Sequence, residues 1–281
     1  MKILLTGSTG QIGSALSQLL LPEHELIAPT RATLDLADLQ AVSAFLNQQR
    51  FDLILNPAAY TAVDKAESEP ELAHTLNAEL PAVLAVAAHK MGARLVHYST
   101  DYVFDGKKRT PWLETDAVNP LSVYGKTKLA GEQAVLALSP EALVFRTSWV
   151  YSRVGKNMFN TIWRVSQERE ELAFVNDQCG VPNWAPYLAE LTLAAITRDI
   201  APGLYHLSAG GETTWFGFVE SIIKHLPEGM RRPLVRPINS EQYPTPVKRP
   251  AYSVLDNRKL ALALAQQIED WPPQLLRCLR N

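Results

Sequence analysis

Residues 2–21, KILLTGSTGQIGSALSQLLL, hold three signals in succession. Lys2 to Thr6 reads as a short buried strand, Gly7, Gly10 and Gly13 space a turn, and Ser14 to Leu21 carries apolar residues at helical intervals. Strand, glycine turn and helix in that order make a phosphate-binding loop. The first glycine permits the tight turn and the second lets a diphosphate approach the backbone. The third lets the helix pack close to the sheet with its N-terminus toward the anion. The spacing is G-x-x-G-x-x-G, and an ordinary turn is the plain alternative to it.

Working outward, the same alternation recurs. Glu25 to Ala28, Asp52 to Asn56, Arg94 to Ser99 and Leu143 to Arg146 read as strands, separated by helical tracts. Asp38 is placed to cap the second helix. The tract from Pro70 contains Asn77 and Pro81, and a proline in a helix interior is costly, so a helix start or kink is expected near 77–81. The expected fold class is therefore α/β, a doubly wound parallel sheet of Rossmann type. A smaller substrate domain is expected to interleave at the C-terminal end. Residues 1–150 form the expected dinucleotide domain and 151–281 the substrate domain. In that second part, 156–171, 187–199 and 215–226 read as helices and 203–207 as a strand.

Ligands of such sheets bind beyond the strand carboxyl ends. Gly7, Ala59, Thr100 and Trp149 all follow predicted strands on that edge. Tyr124 and Lys128 are four apart, so a helix opening there puts phenol and ammonium on one face. A neighbouring cation favours the phenolate and brings the tyrosine closer to proton transfer at neutral pH. Thr100, delivered from the strand before, can hold the same reacting oxygen. The second strand ends at Arg31 where a binder of the unphosphorylated dinucleotide carries an acid. A guanidinium there suits the 2′-phosphate of NADPH. NADPH is the expected cofactor, with NADH left open as a second.

The chain has 281 residues, 47% hydrophobic and 20% charged, with a net charge of −2. That composition is globular, and it opposes general nucleic-acid binding, which needs concentrated positive charge. The two cysteines, Cys179 and Cys278, indicate neither a disulfide framework nor a metal site. No apolar run approaches membrane-spanning length, and the N-terminal apolar run is too short for a signal core. A cytoplasmic enzyme with no membrane partner is expected. From Arg231 to Lys259, seven bases stand against two acids in a proline-rich stretch.

Longer segments carry a resemblance. GSTGQIG at 7–13, AAYTAVDKAESEPELA at 58–73, HYSTDYVFDG at 97–106, ETDAVNPLSVYGKTKLAGE at 114–132 and FRTSWVY at 145–151 resemble the extended short-chain dehydrogenase/reductases. With NDQCGVP at 176–182, GLYHLSAGGETTW at 203–215 and YPTPVKRPAYSVLD at 243–256, the chain is similar to the dTDP-4-dehydrorhamnose reductase family along nearly its whole length. The resemblance implies that Tyr124 protonates a sugar C4 carbonyl oxygen while Lys128 binds the nicotinamide ribose and lowers the phenol's pKa. It implies substrate contacts from Thr100, Asp101 and Trp149. Gly10, Gln11 and Ile12 would lie along the diphosphate. Asp35, Leu36, Ala59, Tyr60 and Thr61 would line the adenosine and ribose region, with Tyr98 beside the cofactor. The resemblance also implies that 187–207 returns to the dinucleotide domain.

Arg249, within the matched KRP, is the candidate for the diphosphate of a dTDP-sugar substrate. Asn183 stands where a threonine is common, so different contacts near the pocket mouth are expected. A homodimer is left open, and no metal ligands are named. The rival readings are a non-catalytic dinucleotide-binding regulatory subunit, similar to the β-subunit of methionine adenosyltransferase, and a reductase or epimerase of another nucleotide-sugar.

Overall fold

In the computed structural model, which describes residues 1–21 and 23–280, six strands form one parallel sheet. They are β1 (Lys2–Leu5), β2 (Glu25–Ile27), β3 (Leu53–Asn56), β4 (Arg94–Thr100), β5 (Leu143–Thr147) and β6 (Gly203–His206), in the spatial order β6-β5-β4-β3-β1-β2. Residues β1, β3, β4 and β5 present to the two faces are almost all buried, which demands helices on both sides. Strand alternation sorts them into two cores. Ile3, Leu5, Leu53 and Leu55 join one core, and Leu4, Ile54, Leu95 and Val144 join the other.

The first core receives α1 (Gln11–Leu20), through Ile12, Leu16 and Leu20. The second receives α2 (Leu39–Asn47), whose first N–H groups are capped by the Asp38 carboxylate at 2.9 and 3.1 Å. Two short helices follow, α3 (Val63–Ala66) and α4 (Pro70–His74), and then α5 (Leu80–Met91) and α6 (Val123–Leu138). The expected helix Ser14–Leu21 thus begins three residues earlier.

The tract from Pro70 does not break at its second proline. It widens into a π turn, Thr75–Glu79, between α4 and α5. Pro81 has no N–H to offer the carbonyl four residues back, which is that of Asn77. The freed Asn77 carbonyl leans onto α6 at Gly131, where an added Cβ would lie 1.9 Å from that oxygen. Only a glycine permits this approach. The Asn77 side chain is fixed as well: Oδ1 accepts from Tyr60 N at 2.8 Å, and Nδ2 donates to Tyr60 O at 3.1 Å and Thr127 Oγ1 at 3.2 Å.

Strand order reverses between β1 and β3, and a crevice opens there beyond the strand carboxyl ends. Gly7 leaves β1 with φ +59°, and a Cβ on it would stand 2.8 Å from Ala58 Cα in the loop after β3. After β5 the chain departs from the sheet. A two-residue strand Val150–Tyr151 pairs with Asn183–Trp184, Glu171–Val175 pairs in parallel with Leu234–Ile238, and Cys179–Gly180 pairs with Thr213–Thr214. The helices Met158–Glu168 and Trp215–Lys224 pack in this part. Helix Ala185–Thr197 packs instead on α1, and β6 pairs with β5 at the sheet edge. No helix among the described residues is long and apolar enough to cross a membrane.

Gly131→Ala is expected to lower stability by about 1–3 kcal/mol, as forced overpacking does. Urea unfolding reads it as a lower midpoint at unchanged slope, and an unaltered midpoint would contradict the close Asn77–Gly131 packing.

Candidate active site

A cleft of about 810 Å³ runs along the carboxyl edge of the sheet, from Arg31 past the glycine loop to Tyr124 and Lys128. The loop is built to take an anion. Gly10 N donates back to Gly7 O at 2.9 Å, and α1 begins with no side-chain cap and no acid in its first turn. Its leading N–H groups therefore face the cleft without a protein partner of opposite charge. Gly13 sits where a Cβ would meet Gly7 O at 2.0 Å, which is the tight helix–loop packing a third glycine serves.

Each expected cofactor residue lines this cleft. Gly7, Gly10, Gln11, Ile12 and Gly13 form its floor, and Arg31, Asp35 and Leu36 one end. Ala59, Tyr60 and Thr61 form a wall, and Tyr98, Tyr124 and Lys128 the other end. Several side chains have second duties. Gln11 Nε2 donates to Val150 O at 3.1 Å and its Oε1 accepts from Ser152 Oγ at 3.0 Å, so it ties the glycine loop to the segment after β5. Tyr60 Oη donates to Glu69 at 2.6 Å, and Tyr98 Oη pairs with Thr192 Oγ1 at 2.9 Å. Lys156 and Gly155 also line the cleft, and sequence reasoning passed over both.

At the inner end, the Ser122 side chain caps α6 by accepting from Gly125 N at 3.1 Å. One turn then separates Tyr124 from Lys128, on one face as the spacing requires. Lys128 is buried and donates to the Tyr98 carbonyl. Burial pulls its ammonium down to about 8, and the carboxylate of Glu132, a further turn along, works against that. The half-buried Tyr124 moves the other way from the expected lowering. Burial of its hydroxyl pushes it well above the ordinary phenol value, and the Thr100 hydroxyl beside it is the group that opposes the rise. The ammonium is aimed at a backbone carbonyl, and desolvation dominates the phenol.

Thr100 and Asp101 sit just behind the cleft, at the end of β4, and do not line it. Thr100 Oγ1 accepts from Tyr102 N at 3.2 Å and donates to Asp101 Oδ1 at 3.0 Å. Asp101 is 2% exposed, and its Oδ2 has no partner among the described residues. Burial pushes its carboxyl up to about 7, with the Thr100 hydrogen bond and the nearby Ser253 hydroxyl opposing. Ser253, from the distant 243–256 segment, was not foreseen in this role.

Trp149 and Arg249 lie apart from the cleft lining. Trp149 has φ +42°, a conformation unfavourable for a bulky residue, and its ring stacks on Trp215 with centroids 3.6 Å apart and planes 10° from parallel. Gly180 passes beneath the indole, where a Cβ would lie 2.6 Å from a ring atom. The GETTW ending at Trp215 was already within a matched segment and was the signal available for that partner. Arg249 bridges to Asp64 at 2.6 Å and donates to Tyr102 Oη at 3.3 Å. Tyr102 in turn meets Tyr124 edge-on, with centroids 5.4 Å apart. The other six bases of the 231–259 stretch are exposed on the surface.

Asn183 requires a correction. It is 0% exposed and does not line the cleft: Nδ2 donates to Ser148 O at 2.7 Å and Oδ1 accepts from Ala209 N at 2.7 Å. Its amide satisfies buried backbone groups, a structural duty.

Comparison with known proteins agrees with this geometry. The model of the family described as RmlD substrate binding domain matches residues 1–281. The chain is 44% identical over 292 aligned positions to the dTDP-4-dehydrorhamnose reductase of Shigella flexneri, covering 100% of this chain and 98% of that protein. It is 39% identical over 294 positions to the reductase of the same name from Burkholderia thailandensis, covering 100% and 99%. Among solved structures, the dTDP-4-dehydrorhamnose reductase of Clostridium acetobutylicum superposes with a TM-score of 0.94 at 39% identity, covering 100% and 99% of the two chains. That of Bacillus anthracis, solved in complex with NADP, superposes with a TM-score of 0.94 at 34% identity, again covering 100% and 99%. From the phosphate loop at its N-terminus to the Arg249 segment, the chain belongs to the RmlD substrate-binding domain family.

Proposed function

We propose that the chain is a reductase that converts the C4 ketone of dTDP-4-dehydrorhamnose into the C4 alcohol of dTDP-L-rhamnose with NADPH. The observation that carries this reading is the pairing of Tyr124 and Lys128 at one end of a cleft, with the Thr100 hydroxyl beside Tyr124 just behind it, while a capless helix N-terminus forms the floor and Arg31 the other end. The full-length likeness to reductases of that name supports the choice of substrate.

The residues fit a phosphorylated dinucleotide. Gly10, Gln11 and Ile12 offer backbone N–H groups to the diphosphate, and Arg31 offers its guanidinium to the 2′-phosphate. Asp35, Leu36, Ala59, Tyr60 and Thr61 enclose the adenosine and ribose side, and Tyr98 stands beside the nicotinamide end. When bound, the reduced nicotinamide supplies the hydride that adds to C4.

The chain's own groups manage the proton and the charge. Tyr124 transfers its phenolic proton to the ketone oxygen as the C4–H bond forms, which leaves an alcohol and a tyrosinate. A phenol held above its ordinary pKa keeps its proton until negative charge develops on the substrate oxygen. The Lys128 ammonium then stabilises the tyrosinate, and Thr100 turns its one hydroxyl proton from Asp101 to the same oxygen region. Solvent restores the proton afterwards. Asp101 and Trp149 hold the sugar, the stacked Trp149–Trp215 pair giving it a rigid apolar wall. Arg249 reaches the substrate diphosphate from its station between Asp64 and Tyr102.

Two substitutions test this reading. Tyr124→Phe removes the proton donor and keeps the ring, so kcat is expected to fall about 10²–10⁴-fold with little change in NADPH affinity. Retention of full turnover would refute the assignment. Arg31→Ala removes a charge-assisted contact worth roughly 1.5–3 kcal/mol, so the NADPH KM is expected to rise about tenfold or more with NADH kinetics unchanged. Steady-state kinetics with both cofactors reads it, and an equal effect on the two would remove Arg31 from the phosphate.

A further inference from the structure

Behind the cleft lies a buried ion pair that none of the steps above uses. Glu132 stands one turn beyond Lys128 and two beyond Tyr124 on the same face of α6, and it is 2% exposed. Its Oε2 accepts from Ser99 Oγ at 2.8 Å and from Arg146 Nε at 2.9 Å. Arg146 Nη2 donates to the other carboxylate oxygen, and the guanidinium lies 5.0 Å from the Phe104 ring centroid. Both side chains are 3% exposed. Attraction in a pair this deep is largely offset by desolvation, so stability alone does not account for it.

Lys128 is the group in need. It is 2% exposed and finds one hydrogen-bond acceptor among the described residues, the Tyr98 carbonyl. A buried ammonium without a counter-charge is driven toward its neutral form, and a neutral amine cannot stabilise a tyrosinate. We propose that Glu132, clamped by Ser99 and Arg146, is a positioning residue that supplies the counter-charge of the buried Lys128. Three donors from β4 and β5 hold it one turn away.

The other groups near Lys128 do not substitute for it. From β4, His97 is 0% exposed and stays neutral, since burial and the Lys128 charge hold it well below its ordinary value. From β5 comes Arg146, of the same sign as Lys128. From residues 101–103, Asp101 and Tyr102 face Tyr124, with Asp101 bonded to Thr100. From the short helices, Lys65 and Glu69 are paired with each other at 2.6 Å, and Asp64 holds Arg249. In the π turn, Glu79 accepts from Thr75 Oγ1 at 2.8 Å.

The proposal deepens the reduction put forward above, and its first readout is independent of any sugar. NMR of protein carrying ¹³Cε-lysine, with Lys128→Met for assignment, follows the Lys128 ionisation directly. Wild type is expected to titrate near about 8. E132Q alone would strand the buried guanidinium, so E132Q/R146M is the main variant, and its Lys128 transition is expected to fall by roughly one pH unit. R146M leaves the carboxylate and removes the opposing cation, so there the transition rises. E132D keeps the charge and retains the wild-type value.

Activity follows the protonated form, so rates decline as pH rises through the Lys128 transition. The ratio of kcat/KM at pH 8.5 to that at pH 6.5 is expected to be up to tenfold smaller in E132Q/R146M than in wild type. An unshifted Lys128 transition in both E132Q/R146M and R146M overturns the proposal. So does a rate loss equal at every pH, which is the mark of a structural role. Failure of the sugar to react while the Lys128 shifts appear would count against the proposed substrate and not against Glu132.

Discussion

The Asn77 carbonyl rests on the backbone of Gly131, and the position of the whole reactive helix depends on that contact. It arises because Pro81 cannot accept the role of donor to Asn77, and the chain answers with a π turn. The same asparagine then spends its side-chain amide on Tyr60 and Thr127. One residue therefore registers three things at once: the helix bearing Tyr124 and Lys128, the tract it leaves, and the loop that walls the cleft. A shift of α6 by a fraction of an ångström would move phenol and ammonium together relative to the glycine loop. Tight backbone packing resists that shift more firmly than side-chain contacts do.

Charge is managed around that scaffold by burial. Tyr124 is kept as a phenol, and Asp101 is brought to about 7, so both hold protons more tightly than free groups do. Lys128 is pushed toward losing its own. These tendencies oppose each other within one small region, where a reaction that moves a proton onto a ketone requires a firm acid beside a cation. Ser99, Glu132 and Arg146 lie under the same helix face, where three hydrogen bonds hold the carboxylate between the serine and the guanidinium.

What could be read in advance was what local chemistry determines. A strand, three glycines and an amphipathic helix are neighbours in the chain, so the phosphate loop needed no tertiary information. Tyr124 and Lys128 are one helical turn apart, and their shared face follows from helix geometry. The cap at Asp38 was visible for the same reason. The rest depends on contacts between distant segments. Arg249 meets Asp64 across 185 positions of chain, and Ser253 reaches Asp101 from beyond 150. The short pairings after β5 involve two to five residues each and carry no periodicity. Trp149 and Trp215 were both visible as aromatics, but their stack requires a positive φ at Trp149 and a glycine beneath it. The departure at Asn183, where a threonine is common, suggested changed contacts near the pocket mouth, but its amide partners are buried backbone groups that only the fold brings to it. The phenol's raised pKa was likewise hidden, since burial is a tertiary property.

The central claim is that this buried phenol and ammonium reduce a nucleotide-linked ketosugar. The most direct measurement is the absorbance of NADPH on addition of enzymatically prepared dTDP-4-dehydrorhamnose, with the product identified by NMR. The account predicts stoichiometric loss of NADPH and formation of dTDP-L-rhamnose. Tight binding of NADPH with no oxidation in the presence of that sugar would contradict it and would favour a dinucleotide-binding subunit without turnover.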